Sequence, residues 1–235
     1  MVRLQPCIPP YAGLVRRNWA FAPYVAVSIL HVIILAAGPQ ELSIVTKVLL
    51  MPALLLAFLV ALPRRRGEVL VWGAFAIVAS WAGDVLLSTP GDIGFIVGLG
   101  CFTLAHASYL VLFLRAVREH RIPWLALLYV PWWAALVVIL APHAGALLVP
   151  AAAYGIVLGA SAAASLGSNR VVGIGGLLFL LSDTLLALRL FYPGFEFWQQ
   201  DAVIMLGYTA GQGLIIFGVV LHARAHQADV STTPV

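Results

Sequence analysis

Eight uninterrupted apolar runs constrain this 235-residue chain more than any other feature, because each has about the 20 residues that a bilayer-spanning helix needs. Membrane β-strands would instead alternate in polarity over about ten residues. Only 9% of the residues are charged, whereas soluble domains have about a quarter. The sequence therefore predicts an all-α polytopic membrane protein and excludes a soluble globular protein, a disordered chain and a nucleic-acid binder. The runs cover residues 18–38, 42–62, 69–88, 93–115, 124–141, 145–166, 171–190 and 201–221.

The runs leave only short loops and tails, so no soluble domain is expected. We predict an N-terminal tail at 1–17, an eight-helix transmembrane domain at 18–221 and a C-terminal tail at 222–235. A second apolar run follows the first directly, which favours a retained helix over a cleaved signal peptide. The two cysteines, Cys7 and Cys101, do not indicate a disulfide framework or a metal cluster.

The basic residues fall on alternate loops. If the N-terminus is cytoplasmic, eleven of the thirteen Lys and Arg residues lie on the inner side, and only Lys47 and Arg189 lie toward the outer side. This asymmetry is the positive-inside pattern, so we predict eight transmembrane helices with both termini cytoplasmic. The short loops favour a bacterial inner (plasma) membrane. The eleven inner residues are Arg3, Arg16, Arg17, Arg64, Arg65, Arg66, Arg115, Arg118, Arg121, Arg170 and Arg224.

A short internal sequence similarity links the two halves of the chain. The segment Gly83-Asp84-Val85-Leu86-Leu87 lies near the end of the third run, and Ser182-Asp183-Thr184-Leu185-Leu186 lies near the end of the seventh. Both predicted helices point outward in this topology. This similarity favours two parallel four-helix repeats, each contributing one aspartate to a shared interior. Membrane proteins often have their sites at such repeat interfaces.

Ionisable side chains inside apolar runs are costly and usually face the interior of a helix bundle. At a rise of about 1.5 Å per residue, Lys47, Asp84 and Asp183 lie at overlapping depths, roughly 6–11 Å below the outer boundary. His31, Tyr208 and Gln212 fall in a similar layer or slightly deeper. Polar groups at one depth on several helices predict a single pocket.

Each candidate also has a purely structural interpretation. Asp84 and Asp183 could be ion-paired with Lys47 or Arg189 and fix helix packing, and Lys47 could extend outward to the interface. We interpret His31 as structural. Hydrogen bonding between helices is an alternative role for the other polar candidates, His106, Tyr109, Tyr154, Tyr208 and Gln212.

Short motifs follow one another in a definite order from the second run to the eighth. They are Lys47 followed by Pro52, Gly83-Asp84 with Leu87, Gly98-x3-Phe102-x3-His106-x2-Tyr109, Tyr154, Gly175-Gly176-x2-Phe179-x2-Ser182-Asp183, and Tyr208-x3-Gln212. This series resembles the YhhN-like lysoplasmalogenase family of integral membrane proteins. Two positions depart from the family pattern: Val48 replaces a common proline after the lysine, and no methionine follows Tyr154 in its helix.

The resemblance implies a hydrolase that cleaves the vinyl ether bond of lysoplasmalogens. The products would be a fatty aldehyde and glycerophosphoethanolamine or glycerophosphocholine, and the two aspartates would be required for activity. The expected partners are a lysophospholipid substrate and the surrounding membrane lipids. The hypothesis needs no metal and no cofactor, although two Asp and a His could in principle hold a metal ion.

Vinyl ethers resist bases but react with acid, which suits a pair of carboxyl groups. Protonation of the β-carbon gives an oxocarbenium ion, and water then adds, much as in glycoside hydrolysis. We predict that Asp183, the deeper residue, donates the proton while Asp84 stabilises the cation and orients water; the sequence leaves the reverse assignment open. Lys47 would hold the lipid phosphate. The predicted substrate-binding residues are Lys47, His106, Tyr109, Tyr154, Tyr208 and Gln212.

Three other functions fit the same residues. Buried Asp, His and Lys also build proton relays, so a proton-coupled transporter of a small molecule or lipid is the main alternative. However, no pair of Gly- or Pro-broken helices occupies matching positions of the two halves. A non-catalytic lipid-binding or scaffold protein is the second alternative. The third is hydrolysis of another lipid ether or amide.

Overall fold

The structure is a computed structural model, and it describes residues 18–39, 41–89 and 91–232. The predicted N-terminal tail at 1–17, with Cys7 and the basic residues Arg3, Arg16 and Arg17, lies outside the described residues. Within those ranges the secondary structure is entirely helical. The predicted all-α fold is therefore confirmed.

The described residues form eight α-helices, joined by short turns. Each apolar run corresponds to one helix, because a chain segment in lipid has no water to bond and a helix satisfies its backbone polar groups internally. The helices are α1 (Ala22–Ala37), α2 (Glu41–Ala61), α3 (Glu68–Leu87), α4 (Asp92–Val111), α5 (Tyr129–Ala144), α6 (Leu148–Ser165), α7 (Arg170–Phe191) and α8 (Gln200–Thr232).

Seven helical stretches of the described chain are long and apolar enough to cross a membrane, and one of these, Trp124–Ser165, contains both α5 and α6. The chain reverses between them at Gly145, whose φ of +51° favours glycine. The Trp133 indole donates a hydrogen bond to the Ala152 carbonyl (2.9 Å), so α5 and α6 pack side by side as a hairpin.

Large apolar side chains cover the outside of the bundle. Ile29, Val71 and Leu206 are each more than half exposed, whereas Leu50 and Ile216 are fully buried. Exposed apolar side chains of this size are stable in contact with lipid, whereas their exposure to water would be unfavourable. The seven apolar stretches and this surface together identify an integral membrane protein.

Glycines bring the last two helices into close contact. A Cβ atom added at Gly175 would lie 2.7 Å from the Ile215 backbone nitrogen and 2.9 Å from the Gly211 carbonyl oxygen. In the other half, a Cβ at Gly83 would lie 3.2 Å from the Gly98 carbonyl oxygen. The third and fourth helices of each half thus approach through small residues, which membrane helices use to pack backbones together. The repeat itself stays a prediction.

We expect Gly175→Ala to destabilise the protein, because the methyl group would push backbone atoms of α8 away. Overpacking of this kind costs about 1–3 kcal/mol. Thermal unfolding of the purified protein in detergent measures the effect. Gly100→Ala is the matched control, since nothing lies within 4 Å of its added Cβ. Equal melting temperatures for the two variants would contradict the close contact.

Candidate functional site

A cavity of about 340 Å³ lies where α1, α3 and α7 end and α2, α4 and α8 begin. Asp84 on α3 and Asp183 on α7 both line this cavity, together with Lys47 on α2. Tyr154 and Tyr208 also line it. The structure thus brings together, at one end of the bundle, five of the eight residues predicted to form the site.

Asp84 is almost completely buried, with 4% of its surface exposed. The Tyr208 hydroxyl donates a hydrogen bond to its Oδ2 (2.7 Å), and the Lys47 ammonium lies 3.9 Å from its Oδ1. Lys47 therefore forms an ion pair with Asp84, as one of the structural interpretations predicted. A buried carboxylate that has both an ammonium partner and a phenol donor can keep its negative charge.

Asp183 has a different environment. The Tyr154 hydroxyl donates a hydrogen bond to its Oδ2, and no basic side chain of the described residues forms an ion pair with it. Arg189 is instead ion-paired with Asp201, and its Nη2 donates to Asp201 Oδ2 (3.1 Å). The alternative in which Arg189 neutralises Asp183 is therefore wrong.

Each carboxyl thus accepts a hydrogen bond from the tyrosine of another helix, and all four side chains belong to the motif series found in the sequence. A family model described as the YhhN family matches residues 42–219 of the chain. The chain belongs to the YhhN family. No curated protein and no solved structure matches it. The YhhN match begins after α1, so the cavity residue His31 lies outside the matched span.

His31 is a cavity residue that the sequence analysis interpreted as structural. It lines the cavity, yet it is only 1% exposed. Its Nδ1 lies 2.8 Å from Thr46 Oγ1, and the Thr46 hydroxyl donates to the Leu42 carbonyl (3.0 Å). With its hydroxyl donating to Leu42, Thr46 is assigned as the acceptor from Nδ1–H, and a neutral ring then carries its lone pair on Nε2. Nε2 is buried and has no hydrogen-bond partner in the described part of the chain.

Arg189 and Asp201 are further cavity residues that the predicted site did not include. Arg189 lies near the C-terminal end of α7 and Asp201 near the N-terminal end of α8, and charges are common at helix ends near membrane interfaces. That position gives little reason to predict a pocket. Only the packing of α7 against α8 brings the two side chains together beside Lys47 and the aspartates.

Three predicted substrate-binding residues do not line the cavity. The Tyr109 hydroxyl donates to Gln212 Oε1 (2.5 Å), and Gln212 Nε2 donates to Ser80 Oγ (2.9 Å). His106 Nδ1 lies 2.8 Å from Ser161 Oγ, and its ring packs against Phe179. These contacts fit hydrogen bonding between helices, and a direct role in substrate binding stays a prediction.

A smaller, mainly apolar cavity of about 70 Å³ continues from the first one. The two cavities share lining residues that include Leu99, Tyr154 and Asp183, and the smaller one extends between the helices to Trp132. Asp183 and Tyr154 therefore lie where the cavity that contains the charged side chains meets a smaller, mainly apolar one. This arrangement suits an amphiphile whose reactive bond lies between a polar head and a hydrocarbon chain.

The site as a whole can perform acid–base chemistry. It offers two carboxyl groups in contrasting environments, which is the arrangement that separates an acid from a charged stabiliser. Within the described chain, no three His, Cys, Asp or Glu side chains come close enough to hold a metal ion.

Proposed function

We propose that this YhhN-family protein hydrolyses the vinyl ether bond of lysoplasmalogens to a fatty aldehyde and glycerophosphoethanolamine or glycerophosphocholine. The observation that carries the proposal is that Asp84 and Asp183 line one cavity, each with its own tyrosine donor. The motif series that resembles lysoplasmalogenases points to the same reaction. Because an acid-sensitive bond needs a proton donor and an anion near the cation, two such carboxyls suffice.

The proposal includes a topology of eight membrane crossings with both termini in the cytoplasm, in a bacterial inner membrane. The α5–α6 hairpin supports eight crossings, because each of its arms is helical and apolar. The distribution of basic residues over alternate loops supports the orientation. In this topology the cavity opens toward the outer leaflet.

The substrate would bind with its headgroup among the charged residues and its hydrocarbon chain in the apolar cavity. Lys47 is positioned to contact the phosphate, and the Arg189–Asp201 pair offers one charge of each sign to a zwitterionic headgroup. The chain would follow the smaller cavity toward Trp132. The vinyl ether then falls between these two regions, next to Asp183.

We assign the transferable proton to Asp183 and the negative charge to Asp84. Lys47 forms an ion pair with Asp84, whereas Asp183 has only a phenol donor among the described groups. Asp183 would protonate the β-carbon of the vinyl ether, and the carboxylate of Asp84 would stabilise the oxocarbenium ion that forms. The resulting Asp183 carboxylate can accept a proton from the attacking water and pass it to the glycerol oxygen as the C–O bond to glycerol breaks. The hydroxyl proton of the hemiacetal then returns to Asp183 as the aldehyde carbonyl forms, which restores the protonated acid.

His31 would hold the attacking water. Its Nε2 is a buried acceptor without a protein partner, and leaving such a group unsatisfied costs about 1–3 kcal/mol. A water molecule in the adjoining cavity could donate a hydrogen bond to this nitrogen. The Thr46 contact keeps Nε2 free of the proton, so the imidazole can orient the water oxygen toward the cation.

We expect His31→Asn to lower kcat for aldehyde release about tenfold to a hundredfold, because water would lose its oriented acceptor. KM should change little, since His31 does not contact the headgroup in this scheme. Steady-state kinetics over a range of lysoplasmalogen concentrations separates the two constants. His143→Asn is the matched control, because His143 is exposed and does not line the cavity. An unchanged kcat in His31→Asn would remove the histidine from the reaction.

The proposed function is tested by incubating the purified protein with a lysoplasmalogen and measuring the free aldehyde. Matched lysolipids with a saturated alkyl ether or an acyl ester at the same position serve as controls. We expect aldehyde from the vinyl ether alone, with or without a chelator. An absence of product, combined with substrate flux in proteoliposomes, would favour the transporter instead.

A further inference from the structure

A second concave site lies at the opposite end of the bundle, with a volume of about 410 Å³. We call it the basic crevice. Its apolar lining residues include Leu62, Val69, Ala116 and Ala223, and we call these four its apolar floor. Its charged and titratable lining residues are Arg64, Arg66, Arg115, Arg118, His222 and His226.

Three separate parts of the chain build the crevice. The loop between α2 and α3 contributes Arg64 and Arg66 but not Arg65. At the end of α4, the helix widens into a π-turn over Leu112–Ala116, from which Arg115 projects. Such π-turns frequently mark functional sites. The third wall is α8, where His222 and His226 are one turn apart.

Among the side chains that the structure describes, the positive charge of the crevice is only partly neutralised. Glu68 is ion-paired with Arg115 (3.0 Å), and Glu119 is bonded to His222 (2.7 Å). Arg64 and Arg66 form no ion pair with any described residue. The sequence of residues 1–17 contains three arginines and no acidic residue, so this segment brings no countercharge.

We propose that the basic crevice binds the phosphate headgroup of an anionic phospholipid from the adjoining leaflet. Guanidinium groups bind phosphate oxygens in a directional way, and basic pockets between membrane helices recognise anionic lipid headgroups. The apolar floor would contact the glycerol backbone and the first methylenes of the lipid. The proposal does not depend on the reaction at the other end of the bundle.

The positive-inside rule alone accounts for arginines at this end of the protein, but it does not explain why some of them line a cavity. The rule is satisfied equally well by Arg65, Arg121 and Arg170, which are exposed at the same end and do not line the crevice. The convergence of arginines from two connections around an apolar floor is the additional observation. A soluble phosphate would use the arginines but would gain nothing from the floor.

The test uses the full-length protein purified in neutral detergent and mixed with phosphatidylglycerol or, separately, phosphatidylcholine. Native mass spectrometry measures the retained lipid, and thermal unfolding measures the stabilisation. We expect selective retention of phosphatidylglycerol and a higher melting temperature. The variant Arg64→Gln/Arg66→Gln/Arg118→Gln should bind this lipid about 100-fold more weakly, since each arginine contributes roughly fivefold.

The matched control is Arg65→Gln/Arg121→Gln/Arg170→Gln, which removes the same charge from the same end but leaves the crevice intact. We expect it to retain phosphatidylglycerol as the unmodified protein does. Equal loss in both triple variants would overturn the proposal in favour of general surface attraction. The same stabilisation by millimolar inorganic phosphate would overturn it in favour of a soluble anion site. The melting temperature of each variant without lipid checks that it folds.

Discussion

Asp183→Asn is expected to reduce aldehyde release from a lysoplasmalogen by a factor of about 10² to 10⁴, the range that general acid catalysis contributes. The amide has nearly the same shape as the carboxyl group, and its oxygen can still accept the hydrogen bond from Tyr154. It cannot donate a proton to carbon. Single-turnover measurement of aldehyde, with enzyme in excess over lipid, isolates the chemical step from product release.

Two further variants test whether the loss of activity is specific to the Asp183 carboxyl group. Tyr154→Phe removes the hydrogen bond to Asp183 but keeps the carboxyl group, so we expect a smaller loss, about tenfold, in line with one neutral hydrogen bond. Glu196→Gln changes an exposed carboxyl that does not line the cavity, and it should be fully active. If Asp183→Asn keeps the normal rate, Asp183 is not the acid.

The sequence was sufficient to predict the helices, because their apolar runs cover nearly the whole described chain. The ends of the runs were less predictable. The eighth run ends at residue 221, where hydropathy falls, yet α8 continues to Thr232. Hydropathy reports where a helix would leave the hydrocarbon, but the polar residues that follow, such as Arg224 and Gln227, are themselves good helix formers. A helix can therefore extend well beyond an apolar run.

The two aspartates could also be found from the sequence, since a carboxyl in an apolar run is rare enough to attract attention. Which tyrosine donates to which aspartate could not be predicted. Helical periodicity shows which residues share a face of one helix, but it does not show which faces of different helices meet. The pairs Tyr154–Asp183 and Tyr208–Asp84 join residues 29 and 124 positions apart.

His31 illustrates the same limit. A lone histidine on an apolar helix face is usually a structural group whose ring nitrogens are hydrogen-bonded. This holds for Nδ1, which is bonded to Thr46, but not for Nε2. Its place on the cavity wall depends on how α1 packs beside α2 and α8, which no local pattern specifies. Tyr109 and Gln212 show the reverse case. Their motifs predicted that they line the pocket, but the structure bonds them to each other and neither lines the cavity.

Asp84→Asn is the second variant with a large expected effect, and it tests charge rather than proton donation. The amide can still accept a hydrogen bond from Tyr208, but no negative charge remains to stabilise the oxocarbenium ion. Removing one preorganised electrostatic group from a transition state costs about 10² to 10³ in kcat. We therefore expect a loss of this size in single-turnover aldehyde release.

Binding measurements separate this effect from a merely structural one. In Asp84→Asn, Lys47 loses its ion-pair partner and becomes free to hold the lipid phosphate more tightly. An uncleavable alkyl-ether lysolipid should consequently bind the variant at least as well as it binds the unmodified protein. Lys47→Met should show the opposite pattern, with weaker binding and a higher KM, because it removes the proposed phosphate contact. If Asp84→Asn instead weakened binding and left kcat unchanged, Asp84 would act only by positioning Lys47, and the anion that stabilises the cation would have to be another group.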